Sequence, residues 1–209
     1  MKFYYAPGSI SLVVHIALEM RGVNYQAIAI DFSNKQQRSA AFLTINPLGR
    51  VPALVTADGV ITEALAILNY LQNSGETSVD PQSMYAEKTP FSIAKIDSFN
   101  AFMASTVHVA HAHLWRAERW ADAEVAKAAM ADKVAHNMIE YFSQIEHHWF
   151  VGPWLHGEQF TSSDLYLFVI SRWLKGDGVD MQQFEKVANH NHRMLQIKAV
   201  AELVDKYYS

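Results

Sequence analysis

"NPLGRVPALVTADGVITEALAILNYL", Asn46 to Leu71, is the stretch whose reading decides the fold. Asn46-Pro47 and Gly49 make a turn, and Pro52 opens a strand that runs to Val55, a position where a missing backbone donor is tolerated. Ala57-Asp58-Gly59 is a hairpin turn into a second short strand, Val60–Thr62. Glu63–Gln72 then carries apolar residues at three-to-four spacing, an amphipathic helix. Strand, hairpin, strand and helix in this order make the second half of a small α/β layer.

The first half lies upstream. Lys2–Ala6 reads as a strand, Ile10–Arg21 as a helix that Gly22 terminates, and Tyr25–Ile30 as a second strand ending at Asp31. Lys35–Leu43 reads as a weaker, more polar helix. The order β-α-β-α, a β-hairpin and α predicts a mixed four-stranded sheet with helices packed on it. After Gln72 the character changes. "NSGETSVDPQS" is polar and turn-rich, and beyond it no strand pattern recurs. Phe91–Trp115, Ala121–Phe150, Ser163–Leu174 and Gln182–Tyr207 all repeat apolar residues at helical spacing. The sequence therefore divides into an α/β domain (1–75), a linker (76–84) and an all-helical domain (85–209). "FTSSDLYL" is a well-formed helix start, with Thr161 as N-cap, Asp164 at the third helical position and Phe160 set to staple against Leu165.

Composition narrows the function. Half of the 209 residues are hydrophobic, enough for a substantial core. Seventeen basic and twenty-one acidic residues leave a net charge of −4, and no Lys/Arg cluster tracks a phosphate backbone, which argues against a nucleic-acid partner. No apolar run reaches the roughly 20 residues of a membrane span, and the start lacks the pattern of a secretory signal, so the expected compartment is the cytoplasm. The chain has no cysteine, which excludes disulfides, Cys-based zinc sites and a thiol nucleophile.

The opening "MKFYYAPGSISLVVHIALE", "NPLGRVPALV" followed by "ITEALAILNYL", and "FTSSDLYLF" together resemble the glutathione transferase superfamily, and are most similar to its bacterial beta class. The resemblance spans essentially the whole chain. It implies a thioredoxin-like N-terminal domain, an all-helical C-terminal domain lining the electrophile site, and glutathione as co-substrate. The implied reaction is conjugation of the glutathione thiolate to small hydrophobic electrophiles, of the detoxifying kind. A homodimer is implied as well.

The resemblance also assigns roles. It implies a cis Val51-Pro52 bond, with the Val51 backbone pairing to the cysteinyl part of glutathione and Arg50 beside it. Glu63 and the backbone N–H of Ala64 would hold the γ-glutamyl ammonium and carboxylate. The family usually has a hydroxyl or glycine after the acid, where Ala64 stands here. Lys35 falls where a basic residue meets the glycine carboxylate. The beta class carries its cysteine where this chain has Ile10, so thiol activation passes to a hydroxyl. Ser11 in the first helical turn ranks first, Ser9, read as the N-cap, second, and Tyr5 at the end of the first strand third. On the first long helix of the second domain, His108 matches a histidine facing the sulfur.

Other readings of the same residues stay open. Glu63 also suits a helix dipole, Lys35 a solvated surface and Tyr5 a packed strand. In "TVHVAHAHLWRAERW", His111 lies one turn beyond His108 while His113 points elsewhere, so one helix offers at most two ligands to a common point and no metal is assigned. Trp115, Arg116 and Trp120 are candidates for the electrophile side or for packing, and His15 for the core or the interdomain contact. The competing functions are a non-catalytic glutathione- or ligand-binding protein and a glutathione-dependent isomerase.

Overall fold

Alternating burial along the first strand organises the N-terminal part. In the computed structural model, which describes residues 1–74 and 89–208, β1 (Lys2–Tyr5) sends Phe3 and Tyr5 to one face of a sheet and Tyr4 to the other. β2 (Gln26–Ala29) runs parallel to β1, whereas β3 (Ala53–Val55) is antiparallel to it and pairs in turn with antiparallel β4 (Val60–Thr62). The order β2-β1-β3-β4 is the expected mixed four-stranded sheet.

Helices α1 (Ser11–Arg21) and α3 (Ala64–Asn73) pack together and against the strands. Leu12, Val13, Ile16, Ala17, Ile67, Leu68 and Leu71 are all buried there. A second cluster, Ala6, Ile30, Phe42 and Val51, gathers Tyr4, Phe32 and Ile45 around α2 (Ala40–Leu43). Gly22 ends α1 in the left-handed conformation at φ 60°, which a residue without Cβ adopts cheaply.

The polar segment expected as one helix over Lys35–Leu43 is broken. Gln36–Arg38 forms a 3₁₀ turn, and Ser39 adopts extended backbone to cap α2, its Oγ accepting from Phe42 N–H at 3.2 Å. A serine that satisfies a helix start costs the continuity that a polar, weakly patterned segment cannot enforce.

The chain divides into two compact units, Met1–Met84 together with Leu195–Ser209, and Tyr85–Met194. The linker read at 76–84 lies outside the described residues. The sequence reading groups the last helix with the helical region, but α9 (Lys198–Tyr208) packs on α1 within the first unit. Tyr207 meets Tyr5 and His15 there, with ring centroids 5.6 and 5.0 Å apart.

Among its described residues the second unit is built of helices joined by loops, with an isolated β-bridge between Trp154 and Gly157. Thr89 caps α4 (Pro90–Phe102), with proline in the first turn where no donor is needed. A π-helical turn, Met103–Val107, joins α4 to α5 (His108–Trp115) in one unbroken run. A second such turn, Ile145–Trp149, ends α6 (Glu124–Gln144). α7 (Ser162–Ser171) is buried on every side, the mark of a helix at the centre of a core. Its start is tied down by Asp164, which accepts Thr161 N–H at 2.7 Å and the Thr161 hydroxyl at 3.1 Å. Phe160 sets its ring edge-on to Trp154. α8 (Glu185–Gln196) follows, its first N–H groups held by the Glu146 carboxylate from across the unit.

Candidate functional site

Strand register brings the sequence motifs of the first unit to one end of the sheet. Tyr4 pairs with Ala53, and Ala53 pairs with Thr62. The turn after β1 (Ala6–Ile10), the Val51-Pro52 step before β3 and Glu63-Ala64 after β4 therefore leave the sheet at the same edge. Parallel β2 ends there too, with Ile30 N–H donating to Tyr5 O at 2.7 Å, and leads to Asp31 and Lys35.

The Val51-Pro52 bond is cis, as the resemblance implies. Asn46 builds the approach to it: its side-chain amide donates to Arg50 O at 2.7 Å and its carbonyl accepts Leu48 N–H at 3.1 Å. Gly49, at φ 60°, leaves no room for a side chain, since a Cβ would lie 2.8 Å from both Gln37 O and Arg38 Nη1. Among the described residues, neither the N–H nor the C=O of Val51 has a hydrogen-bond partner. A backbone edge with both groups open is a place where an extended peptide can add. Glu63 is exposed, at φ 68°, and directly precedes α3. A non-glycine residue in that region is uncommon.

Lys35 and Arg50 are exposed, and Lys35 also has positive φ. An open depression of about 640 Å³ is lined by Asp31, Asn34, Lys35, Gln36, Arg38 and Ser39. Hydrogen bonds from the Ser33 and Asn34 side chains pull the Asp31 carboxyl down to about 2.

The turn expected to activate a thiol is more committed than its sequence implies. The helix begins at Ser11 with Ile10 in the cap position, not Ser9. Ser9 still serves the helix start, because its Oγ accepts Ser11 N–H at 3.2 Å. Ser11, ranked first, is 0 % exposed. Its Oγ accepts Ala6 N–H at 3.1 Å and lies 2.6 Å from Ser9 Oγ, so it is spent on holding the turn. Leu12 and Val13 N–H donate to Ser9 O and Ile10 O. What remains open at the turn is the Ile10 N–H, which has no partner among the described residues; the partly exposed Ser9 hydroxyl donates its proton to Ala6 O at 2.8 Å.

Tyr5 is packed, 6 % exposed, among Phe3, His15 and Tyr207. Burial, reinforced by Tyr207, pushes its phenol up, which keeps the proton on. His15 is a core residue, as one reading of the sequence had it.

In the second unit, His108 and His111 both pack on Trp173, with centroids 5.1 and 4.3 Å apart. His113 turns to Trp120. His111 Nδ1 lies 2.8 and 2.9 Å from the two carboxylate oxygens of Asp177, a partner 66 residues away in the chain. Among the described residues no group of three or more His, Cys, Asp or Glu is gathered to hold a metal, and no helix is long and apolar enough to cross a membrane.

Comparison with known proteins agrees with this architecture. The glutathione S-transferase N-terminal domain model matches residues 1–73. The chain is 28% identical to glutathione S-transferase GstA of Escherichia coli O157:H7 over 198 residues, 94% of this chain and 93% of that protein. A glutathione transferase homolog from Sulfitobacter, solved with bound glutathione, superposes with a TM-score of 0.92 at 35% identity, over 98% of this chain and 97% of that one. A bacterial beta-class glutathione S-transferase from Sphingomonas chungbukensis gives 0.82 at 26% identity, over 98% of each chain. A mixed sheet ending in the Val51–Pro52 edge, a helical unit built around α7 and similarity along nearly the whole chain lead to one assignment: the chain belongs to the glutathione S-transferase superfamily.

Proposed function

We propose that this glutathione transferase holds its tripeptide at the single sheet end where the β1 turn, Val51 and Glu63-Ala64 converge. That convergence, set by the strand register, is the observation that carries the reading. The open N–H and C=O of Val51 pair with the cysteinyl backbone of glutathione, as an added strand would. The Ala64 N–H at the start of α3 receives the γ-glutamyl carboxylate, and Glu63 its ammonium. Lys35, with Arg38 on the same depression and Arg50 beyond it, supplies positive charge for the glycine carboxylate.

Ile10 stands where the beta class carries cysteine, so the protein offers no thiol of its own and the sulfur of glutathione is the nucleophile. The Ile10 N–H is the donor left for a thiolate, the Ser9 hydroxyl joins it by turning its proton from Ala6 O to sulfur, and buried Ser11 holds both in place. Donors aimed at sulfur favour its ionised form and raise the thiolate fraction near neutral pH. Within the helical unit, His108, packed on Trp173, is the residue assigned to the electrophile. The electrophile is small and hydrophobic, and the working form is a cytoplasmic homodimer.

Titration with glutathione while following thiolate absorbance, then turnover with an aryl halide, tests this reading. The expected result is a thiolate at neutral pH and glutathione-dependent product, both reduced in Ser9→Ala. Saturable glutathione binding without product across aryl halides and epoxides would instead make the chain a carrier. No binding at millimolar glutathione would overturn the site.

A further inference from the structure

The helical unit contains a second built cluster that the thiol chemistry does not use. Asp177 has a fully buried side chain, and among the described residues its carboxylate has one side-chain partner, His111 Nδ1. A carboxylate only accepts, so the His111 proton sits on Nδ1 and the opposite ring nitrogen, Nε2, carries the lone pair when the ring is neutral. Among the described residues Nε2 has no hydrogen-bond partner, nor is it one of the buried unpaired atoms, so it meets solvent. The His111 side chain is 17 % exposed.

Aromatic surface lies against the ring that carries that nitrogen. Trp173 stacks on His111 with an interplanar angle of 21°, His108 tilts on the same indole, and Trp115 lies 6.5 Å from His111 with half its surface exposed. Gly176 brings the Asp177 loop against Trp115, where a Cβ would sit 3.7 Å from Cζ2. The π-helical turn directly before His108 breaks the α-helical register just ahead of the two histidines, a distortion frequent at functional sites. An acceptor nitrogen fixed by a buried carboxylate, beside indole faces, matches one ligand chemistry well: a planar ring bearing an ionisable hydroxyl. A phenol donates its O–H to neutral Nε2, and a phenolate accepts from the imidazolium Nε2–H. The site serves either partition of the proton.

We infer that His111, positioned by Asp177, makes the helical unit select aromatic electrophiles that carry a phenolic hydroxyl. The substrate role rests on the conjugation reading above. The binding preference itself does not need turnover.

Calorimetric titration of the full chain with para-nitrophenol and with para-nitroanisole, which lacks the proton, tests the preference directly. The expected result is about five- to tenfold tighter binding of the phenol, the worth of one hydrogen bond. His111→Asn keeps a side-chain donor for Asp177 but removes Nε2, so it should fold normally and lose the discrimination. Nitrogen-15 spectra should show the neutral His111 ring protonated at Nδ1, its Nε2 resonance moving with the phenol, and the proton shifting toward Nε2 in Asp177→Leu, which has no acceptor. Equal binding of the two probes, or discrimination retained in His111→Asn, would overturn the inference. A phenol preference without any conjugation would fault the transferase reading and leave this site standing.

Discussion

Two serines two residues apart have opposite duties in the turn after β1. Ser11 Oγ is buried and satisfies Ala6 N–H, whereas Ser9 reaches the surface. Ser11→Ala should therefore lower stability by about 1–3 kcal/mol, the cost of an orphaned buried donor, as read by urea denaturation. Ser9→Ala removes one of the donors proposed above for the thiolate. It should lower kcat/KM about tenfold or more while costing about 1 kcal/mol or less of stability. Equal stability losses in the two variants would contradict this division. The sequence ranks these hydroxyls by their place in a helix start, and that ranking has no access to burial. Ser11 falls inward because the α1 face that also carries His15 and Leu18 is buried, with His15 against Phe3 and Tyr5 of β1.

At the scale of elements, the start of α7 concentrates more polar contacts than any helix cap needs. Asp164 accepts from Leu155 N–H at 2.9 Å, from Thr161 N–H and hydroxyl, and from His190 Nε2 at 3.1 Å, all buried. The carboxylate thereby ties the loop at Leu155 and helix α8 to α7. Asp164→Ala leaves several buried donors without an acceptor, and should cost about 3–5 kcal/mol, measurable as a lowered denaturation midpoint of the helical unit. A loss below about 1 kcal/mol would mean that water replaces the carboxylate. The capping box was legible from Thr161 and Asp164 alone, because its two partners are three residues apart. His190 and Leu155 were not, since their convergence depends on how α8 folds back within the unit. The same holds for His111 and Asp177, where only the first lies in a conspicuous motif. One signal was available for the second: an acidic residue in the glycine-bounded turn Gly176–Gly178, just after a buried helix.

The scale of the whole molecule brings in the proton balance of folding. His15 is enclosed by Phe3, Tyr5, Tyr25 and Tyr207, and Lys206 is the charge that acts on it. Burial first, and Lys206 second, push the imidazole down to about 4. In the unfolded chain it titrates near 6.5. Between these values the unfolded state binds more protons, so stability is full above about pH 6.5 and falls as the pH drops toward 4. The loss attributable to His15 amounts to about 3 kcal/mol across that window. His15→Phe should flatten this part of the pH–stability curve, with unfolding followed by intrinsic fluorescence at several pH values. An unchanged slope in the variant would show that other groups carry it. Because Tyr207 belongs to α9, the acid-sensitive contact lies between the beginning and the end of the chain.

The sequence by itself determined the order of elements, the mixed sheet, the cis proline edge implied by its resemblance, the capping box and the absence of a protein thiol. These are local or compositional properties: periodicity, turn residues, short-range pairs and the lack of cysteine. Only the tertiary structure decided that Ser11 is buried while the Ile10 N–H stays open, that α9 returns to pack on α1, and that Asp177 fixes His111. Each of these depends on which side of an element faces a distant neighbour. A distance of 66 residues along the chain becomes 2.8 Å in space only once the core has chosen its packing.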